Sequence, residues 1–330
     1  MKNYNIPIFV PHRGCPFDCV FCNQKHITGQ TTDVDEADVK NTIEEYLTTL
    51  PKENAFIEAA FFGGSFTGID IDIQRKLLAA AHEYVKTGNI RGIRISTRPD
   101  YISEEILNML MEYGVTTIEL GVQSMDDAVL KCASRGHTSQ QVRDAAALIR
   151  KYPIRLGLQM MTHLPGDTDE KSIETASRII ELAPDMVRIY PTLVIKDTYL
   201  EKMYKNGEYT PHTVDEAVNL CKQLLPMFDA AGIPVIRVAL AVTEEISPDG
   251  SVVAGPFHSA FRELVESAVY FDKLLEAASN GAECIGVNSR EVSKAVGNRK
   301  CNIEKLKQMT GKNIKIYGDD RIKRGDIVVS

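Results

Sequence analysis

Apolar and polar positions along the chain change period repeatedly. Short β-rich runs (IPIFVPH, AFIEAAFFGG, IRGIRISTR, TTIELGVQ, IRLGLQMMTH, DMVRIYPTLVI and later IPVIRVALAV) alternate with segments whose apolar residues recur at helical spacing. The helical segments include DEADVKNTIEEYLTTL, IDIQRKLLAAAHEYV, SEEILNMLMEYG, SQQVRDAAALIRKY, DEKSIETASRIIELA and VDEAVNLCKQLLPMF. Each strand-helix pair has the length of a βα unit. Several helical segments open with Asp or Ser, whose side-chain oxygens can cap the free amides of a first turn. SEEILNMLMEYG ends on Gly114, which suits a left-handed helix end. Alternation of this kind predicts a parallel sheet covered by helices. At least six units in one run predict an α/β fold, a partial (β/α)6 TIM-type barrel over residues 1–255; period alone leaves an open doubly wound sheet as the other arrangement. Beyond the barrel the pattern predicts a bridging helix over 256–280 and a small α+β module over 281–330.

In such folds function gathers at the C-terminal ends of the strands, where loops can differ without disturbing the core. The polar and glycine-rich positions fall there. They are His12, Arg13 and a cysteine loop after the first strand, then Gly63, Gly64 and Ser65, then Ser96 to Asp100, Gln123 and Ser124, and Met160 to His163.

Composition narrows the setting. A chain of 330 residues, 44% of them apolar, can bury a sizeable core. No apolar stretch reaches the length of a membrane span, and the start MKNYNIPIF lacks the apolar core of a signal peptide. These features predict a soluble, cytoplasmic protein with no membrane partner. Seven cysteines, three of them clustered, argue for free thiols available to a metal rather than a disulfide framework. The net charge of −7 is unevenly spread: residues 281–330 carry 11 Lys and Arg against 6 Asp and Glu, leaving −12 on residues 1–280. A basic end on an acidic body points to an anionic partner for that end, with a solvated Lys-rich surface as the plain alternative.

The cysteine loop is GCPFDCVFCNQKHITGQ, residues 14–30. Spacings of four and three let Cys15, Cys19 and Cys22 close on one metal centre. A structural zinc needs four ligands, and His12 or His26 could supply the fourth. An iron–sulfur cubane held by three thiolates instead leaves one iron open to a substrate or cofactor. The glycine pair of FFGGSF, at a strand end, lets backbone approach a ligand where a Cβ would block it; a plain tight turn is the alternative.

The CxxxCxxC loop with Phe21 before its last cysteine, the glycine pair after strand two and the βα framework resemble the radical S-adenosylmethionine (SAM) superfamily over residues 6 to about 270. Within it, STRPDYI (96–102), IELGVQSMDDAVLKCASRGHT (118–138), QMMTHLPGDT (159–168) and RIYPTLVIKDTYLEKMYKNGEY (188–209) are similar to the catalytic subunit of the Elongator complex and its bacterial and archaeal relatives. The last two stretches separate the chain from the oxygen-independent coproporphyrinogen oxidase group. Two departures stand out. The Elongator subunit has a longer gap between its first two cysteines, and its relatives continue into an acetyltransferase domain, whereas this sequence stops at Ser330. Acetyl-CoA use is therefore not carried over.

The resemblance implies a barrel of the radical SAM type, a [4Fe-4S] cluster on Cys15, Cys19 and Cys22, and SAM chelating the open iron. Reductive cleavage then gives methionine and a 5′-deoxyadenosyl radical, with the electron coming from a donor protein. Phe21 and Gln123 would border the adenosine, and Gly63, Gly64 and Ser65 the methionyl part. Thr97, Arg98 and Met160 are further candidate cofactor contacts and Lys196 a candidate substrate contact. Arg98 reads equally as a buried ion-pair partner and Lys196 as a surface residue. The catalytic residues are unknown. A His beside a glycine, as in RGHT, reads as a loop anchor, and hydrogen abstraction by a radical needs no general base. Cys132, Cys221, Cys284 and Cys301 lie singly and read as small apolar residues.

Residues 282–320 read as strand, helix, turn, helix, strand, and resemble the core of a KH-type RNA-binding module, which clamps backbone with a GxxG turn. Here the turn is GNRK, so Lys300 replaces the second glycine while Lys294, Arg299 and Lys300 crowd one end. These cations are the candidate RNA contacts; a docking or dimerisation role and plain packing are the other readings. Together these features predict a radical SAM enzyme that modifies an RNA base, in tRNA. The alternatives are a radical SAM enzyme acting on a small metabolite or protein, and a zinc-stabilised RNA-binding protein without catalysis.

Overall fold

The computed structural model describes residues 2–10, 19–23, 34–51, 53–244 and 246–329. Two compact units divide the chain: residues 1–212 with 228–257, and residues 213–227 with 258–330.

The first unit follows the alternation read from the sequence. In order it contains β1 (Lys2–Val10), α1 (Glu36–Thr49), β2 (Ala55–Gly63), α2 (Ile71–Lys86), β3 (Gly92–Thr97), α3 (Glu104–Glu112), β4 (Val115–Gln123), α4 (Asp127–Cys132), α5 (Ser139–Ile149), β5 (Arg155–Thr162), α6 (Asp169–Glu181), β6 (Met186–Pro191), β7 (Val194–Ile195) and α7 (Tyr199–Lys205). After α8 (Val214–Ala230), whose residues up to Met227 belong to the second unit, come β8 (Val235–Val238) and β9 (Val252–Ala254). Seven parallel strands form one curled sheet in the order β1-β2-β3-β4-β5-β6-β8, a half-barrel rather than a closed ring. The expected partial α/β barrel of at least six units is observed, and IPVIRV, the later strand run reached through α8, pairs with β6 as the seventh strand. The β7 and β9 segments form a separate two-stranded antiparallel pair.

Burial explains why the strands read as unbroken apolar runs. In β2, Ala59, Ala60 and Phe61 are all buried, as expected of a parallel strand covered on both faces. Two helices start on caps the sequence offered: Asp35 accepts from Ala37 N and Asp38 N, and Ser103 accepts from Ile106 N. The cap of α5 is instead Thr138, one residue before the Ser139 that opens the segment, and it forms a capping box with Gln141. Register then brings the strand ends together. Val10, the last residue of β1, pairs with Gly63, the last of β2, so the two strand ends lie side by side.

The half-barrel interior also holds charge. Glu58 on β2 pairs with Arg94 on β3 at 2.8 Å, Arg94 pairs with Glu119 on β4, and Glu119 pairs with Arg188 on β6. Arg155 and the hydroxyls of Thr116 and Thr117 donate to the other oxygen of Glu58. Burial raises the Glu58 carboxyl, but Arg94 and these hydroxyls outweigh it and hold the group below its usual range.

The second unit contains α9 (Phe261–Ser279), β10 (Cys284–Val287), α10 (Val292–Val296), α11 (Cys301–Thr310), β11 (Lys315–Gly318) and β12 (Ile327–Val329). Its three-stranded sheet has the order β11-β10-β12, with β10 parallel to β11 and antiparallel to β12. Leu274, Ala278, Ile285, Val287, Ala295 and Leu306 form its core. Glu291 ties the unit together by accepting from the Tyr270 hydroxyl at 2.6 Å and from Gly325 N at 2.7 Å.

Candidate active site

The C-terminal ends of the strands surround a cavity of about 490 Å³, within the range of cofactor and ligand sites. Its wall carries Cys19, Phe21, Cys22, Gly63, Gly64, Ser65, Thr97, Arg98 and Gln123. Eight of the sequence-derived cofactor and cluster positions other than Cys15 therefore converge with Cys19 on one space. Cys15, His12 and His26 lie outside the described residues.

The cysteine turn is held by its neighbour Val20. Cys22 N donates to Cys19 O at 2.9 Å, while Val20 N donates to Ala133 O and Val20 O accepts from Leu200 N. Val20 is buried among Val129, Ala133, Leu164, Val194 and Leu200, and Phe21 packs against the same cluster. An apolar residue between two cysteines thus anchors the loop and leaves both sulfurs at the cavity wall.

The glycine pair is required by space. Gly63 has φ +110°, and a Cβ there would stand 2.6 Å from the carbonyl oxygen of Val10. Gly64 N donates to that same oxygen at 3.2 Å. Next to the pair, Ser65 Oγ lies 2.8 Å from Thr97 Oγ1, and Arg98 N donates to Ser65 Oγ. The Arg98 guanidinium is buried and makes two 2.9 Å bonds to the Asp100 carboxylate. Gln123 ends β4 at φ +66°, and its Oε1 accepts from Gln159 Nε2 at 3.2 Å.

Five sequence-derived positions lie elsewhere. Met160 is fully buried, and its neighbour Met161 lines the cavity instead. Lys196 is exposed and its Nζ donates to Gly250 O. Lys294 is drawn between Glu266 at 2.9 Å and Glu291 at 3.4 Å. Arg299 and Lys300 are exposed, and both have left-handed backbone, with φ +51° and +64°. The position that lacks the second glycine of the turn thus still takes a conformation glycine favours, at about 1–2 kcal/mol for each L residue.

Other cavity residues were not singled out in the sequence. Glu119, Arg188 and Tyr190 line it, with Arg188 Nη2 donating to Glu119 Oε1 at 2.8 Å and the guanidinium 5.4 Å from the Phe62 ring centroid. Burial opposes the Arg188 charge, but Glu119 and Tyr190 outweigh it and raise its pKa. Arg135 joins the same wall. The available signal was charge inside strand-like runs: Glu119 in TTIELGVQ and Arg188 in DMVRIYP. His137, read as an anchor, is buried with Nε2 donating to Val122 O at 3.2 Å. Burial first, then Arg135 and Arg98, push it down to about 3, so the ring is neutral near pH 7.

Residues 9–179, just over half of the chain, match the radical SAM superfamily, and the chain belongs to that superfamily. Residues 184–270 match the Radical_SAM C-terminal domain. The chain is 30% identical over 259 residues, 72% of its length, to the tRNA uridine(34) acetyltransferase of Methanocaldococcus infernus, covering 45% of that protein. It is 32% identical over 204 residues, 61% of its length, to human Elongator complex protein 3, covering 35% of it. It thus spans less than half the length of these curated relatives. The archaeal M. infernus Elp3 with an N-terminal deletion superposes with a TM-score of 0.63 at 24% identity, over 88% of this chain and 68% of that one.

Enzymes of this superfamily use a [4Fe-4S] cluster and SAM. The residues present fit both groups: two thiols stand on one turn at the cavity wall, and beside them lies a backbone cradle that a single Cβ at Gly63 would fill.

Proposed function

We propose that this enzyme cleaves SAM reductively with a [4Fe-4S] cluster and modifies an RNA base, in tRNA. The observation that carries the chemistry is the convergence of the cysteine turn, the glycine pair and the Ser65–Thr97 bond on one cavity. The substrate class is supported by the likeness to a tRNA uridine(34) acetyltransferase and by the basic balance of residues 281–330.

When bound, the cluster and SAM supply one-electron cleavage of a sulfonium bond and hydrogen-atom abstraction. The chain supplies position and dryness. Cys15, Cys19 and Cys22 would hold the cluster. Gly63 and Gly64 would offer backbone to the methionyl end, with Ser65 and Thr97 fixed against each other beside them. Phe21 and Gln123 would border the adenosine. Arg98, satisfied by Asp100, would hold the floor of the site more than it would bind an anion. Leu193, Ile195, Leu240 and Ile246 would keep water from the reacting C–H. In the second unit, Arg299 and Lys300 would meet RNA phosphates, Lys294 being engaged by two carboxylates.

The test is binding of bulk tRNA across a salt series, with 5′-deoxyadenosine release measured with and without the RNA. Stimulated release, with log affinity falling against log salt by several units, supports the reading. No affinity at low salt and no stimulation would contradict a tRNA substrate.

A further inference from the structure

Arg135 belongs to the loop between α4 and α5 and reaches the cysteine turn from the side. Its Nη1 donates to Cys19 Sγ at 3.5 Å and its Nη2 to Gly121 O at 2.7 Å, and the residue is only 7% exposed. The same loop holds the turn a second time through Ala133 O, which accepts from Val20 N. The fork is made possible by Gly121, where a Cβ would stand 2.7 Å from Arg135 Nη2. A buried guanidinium is therefore fixed between a backbone carbonyl and one cysteine sulfur.

We propose that Arg135 is a positioning residue that sets the reduction potential of the cluster through its hydrogen bond to Cys19. The proposal rests on the cluster assignment above. One-electron reduction adds negative charge that is shared with the ligating sulfurs, and no bond breaks. A cation and an N–H held against one of those sulfurs stabilise the more negative state and raise the potential. The planar fork suits this task, because it spans carbonyl and sulfur together, which the point charge of a lysine does not.

The experiment is an EPR-monitored dithionite titration of the anaerobically reconstituted full chain, its iron content measured alongside. Arg135→Gln is expected to make one-electron reduction about tenfold less favourable, a fall of about 59 mV. Gly121→Ala, which leaves the charge in the protein but forces the guanidinium off its seat, is expected to shift the potential in the same direction. If Arg135→Gln does not fold, Gly121→Ala carries the test. A potential equal to the parent's in every folded variant would overturn the proposal and leave the cluster assignment intact. A parent protein that binds no iron would overturn both.

Discussion

Gly63 faces Val10 across the first two strands so closely that any side chain at position 63 would meet the Val10 carbonyl oxygen, 2.6 Å from a Cβ. That oxygen also accepts from Gly64 N. One carbonyl at the end of β1 thus fixes the glycine pair. Gly63→Ala is expected to cost about 1–3 kcal/mol through backbone strain at φ +110°. It is also expected to weaken SAM binding by more than this loss of stability alone would. Urea denaturation and equilibrium dialysis of labelled SAM check the two effects separately.

The buried charge chain of Glu58, Arg94, Glu119 and Arg188 gives a second expectation. Arg94→Met leaves two carboxylates in the interior without their shared partner, and removing one member of a buried pair costs about 3–5 kcal/mol. A urea midpoint within error of the parent's would contradict this.

Acid should destabilise the first unit from about pH 6.5 downward through one buried histidine. His137 has a folded pKa of about 3 against an ordinary 6.5. The unfolded chain therefore binds a proton below pH 6.5 that the folded chain refuses, and stability falls as pH drops from 6.5 toward 3. The slope contributed by this one residue approaches about 1.4 kcal/mol per pH unit. Glu58, lowered in the fold, adds a further loss below its unfolded value of 4.5. Stability curves at pH 7, 6 and 5 for the parent and His137→Asn should converge as pH falls.

The turn at 297–300 separates folding from binding. Lys300→Gly relieves a left-handed lysine at φ +64° and is expected to stabilise the second unit by about 1 kcal/mol. The same change is expected to weaken tRNA binding and reduce its salt slope by about one. Lys294→Ala is expected to change RNA affinity less, since its ammonium is already paired.

The strands and caps of the first unit were legible because burial on both faces writes a parallel strand as an apolar run, and an N-cap needs a short polar side chain at one position. The cavity was legible where chemistry demands a residue type, as at Cys19, Cys22 and Gly63. Side-chain direction was harder. Met160 and Met161 are chemically alike, and strand parity alone sends the first into the core and the second to the cavity. Arg135 was harder still, because its contact with Cys19 spans 116 residues and depends on the smallness of Gly121. The seventh strand was visible as an apolar run, but its place in the sheet follows from its pairing with β6.

The most direct measurement is anaerobic reconstitution of the full chain with iron and sulfide, followed by addition of SAM and dithionite and assay of 5′-deoxyadenosine. The parent protein is expected to bind iron and release 5′-deoxyadenosine, while Cys19→Ala remains folded and releases none. A folded parent that holds no iron and leaves SAM intact would contradict the account at its centre.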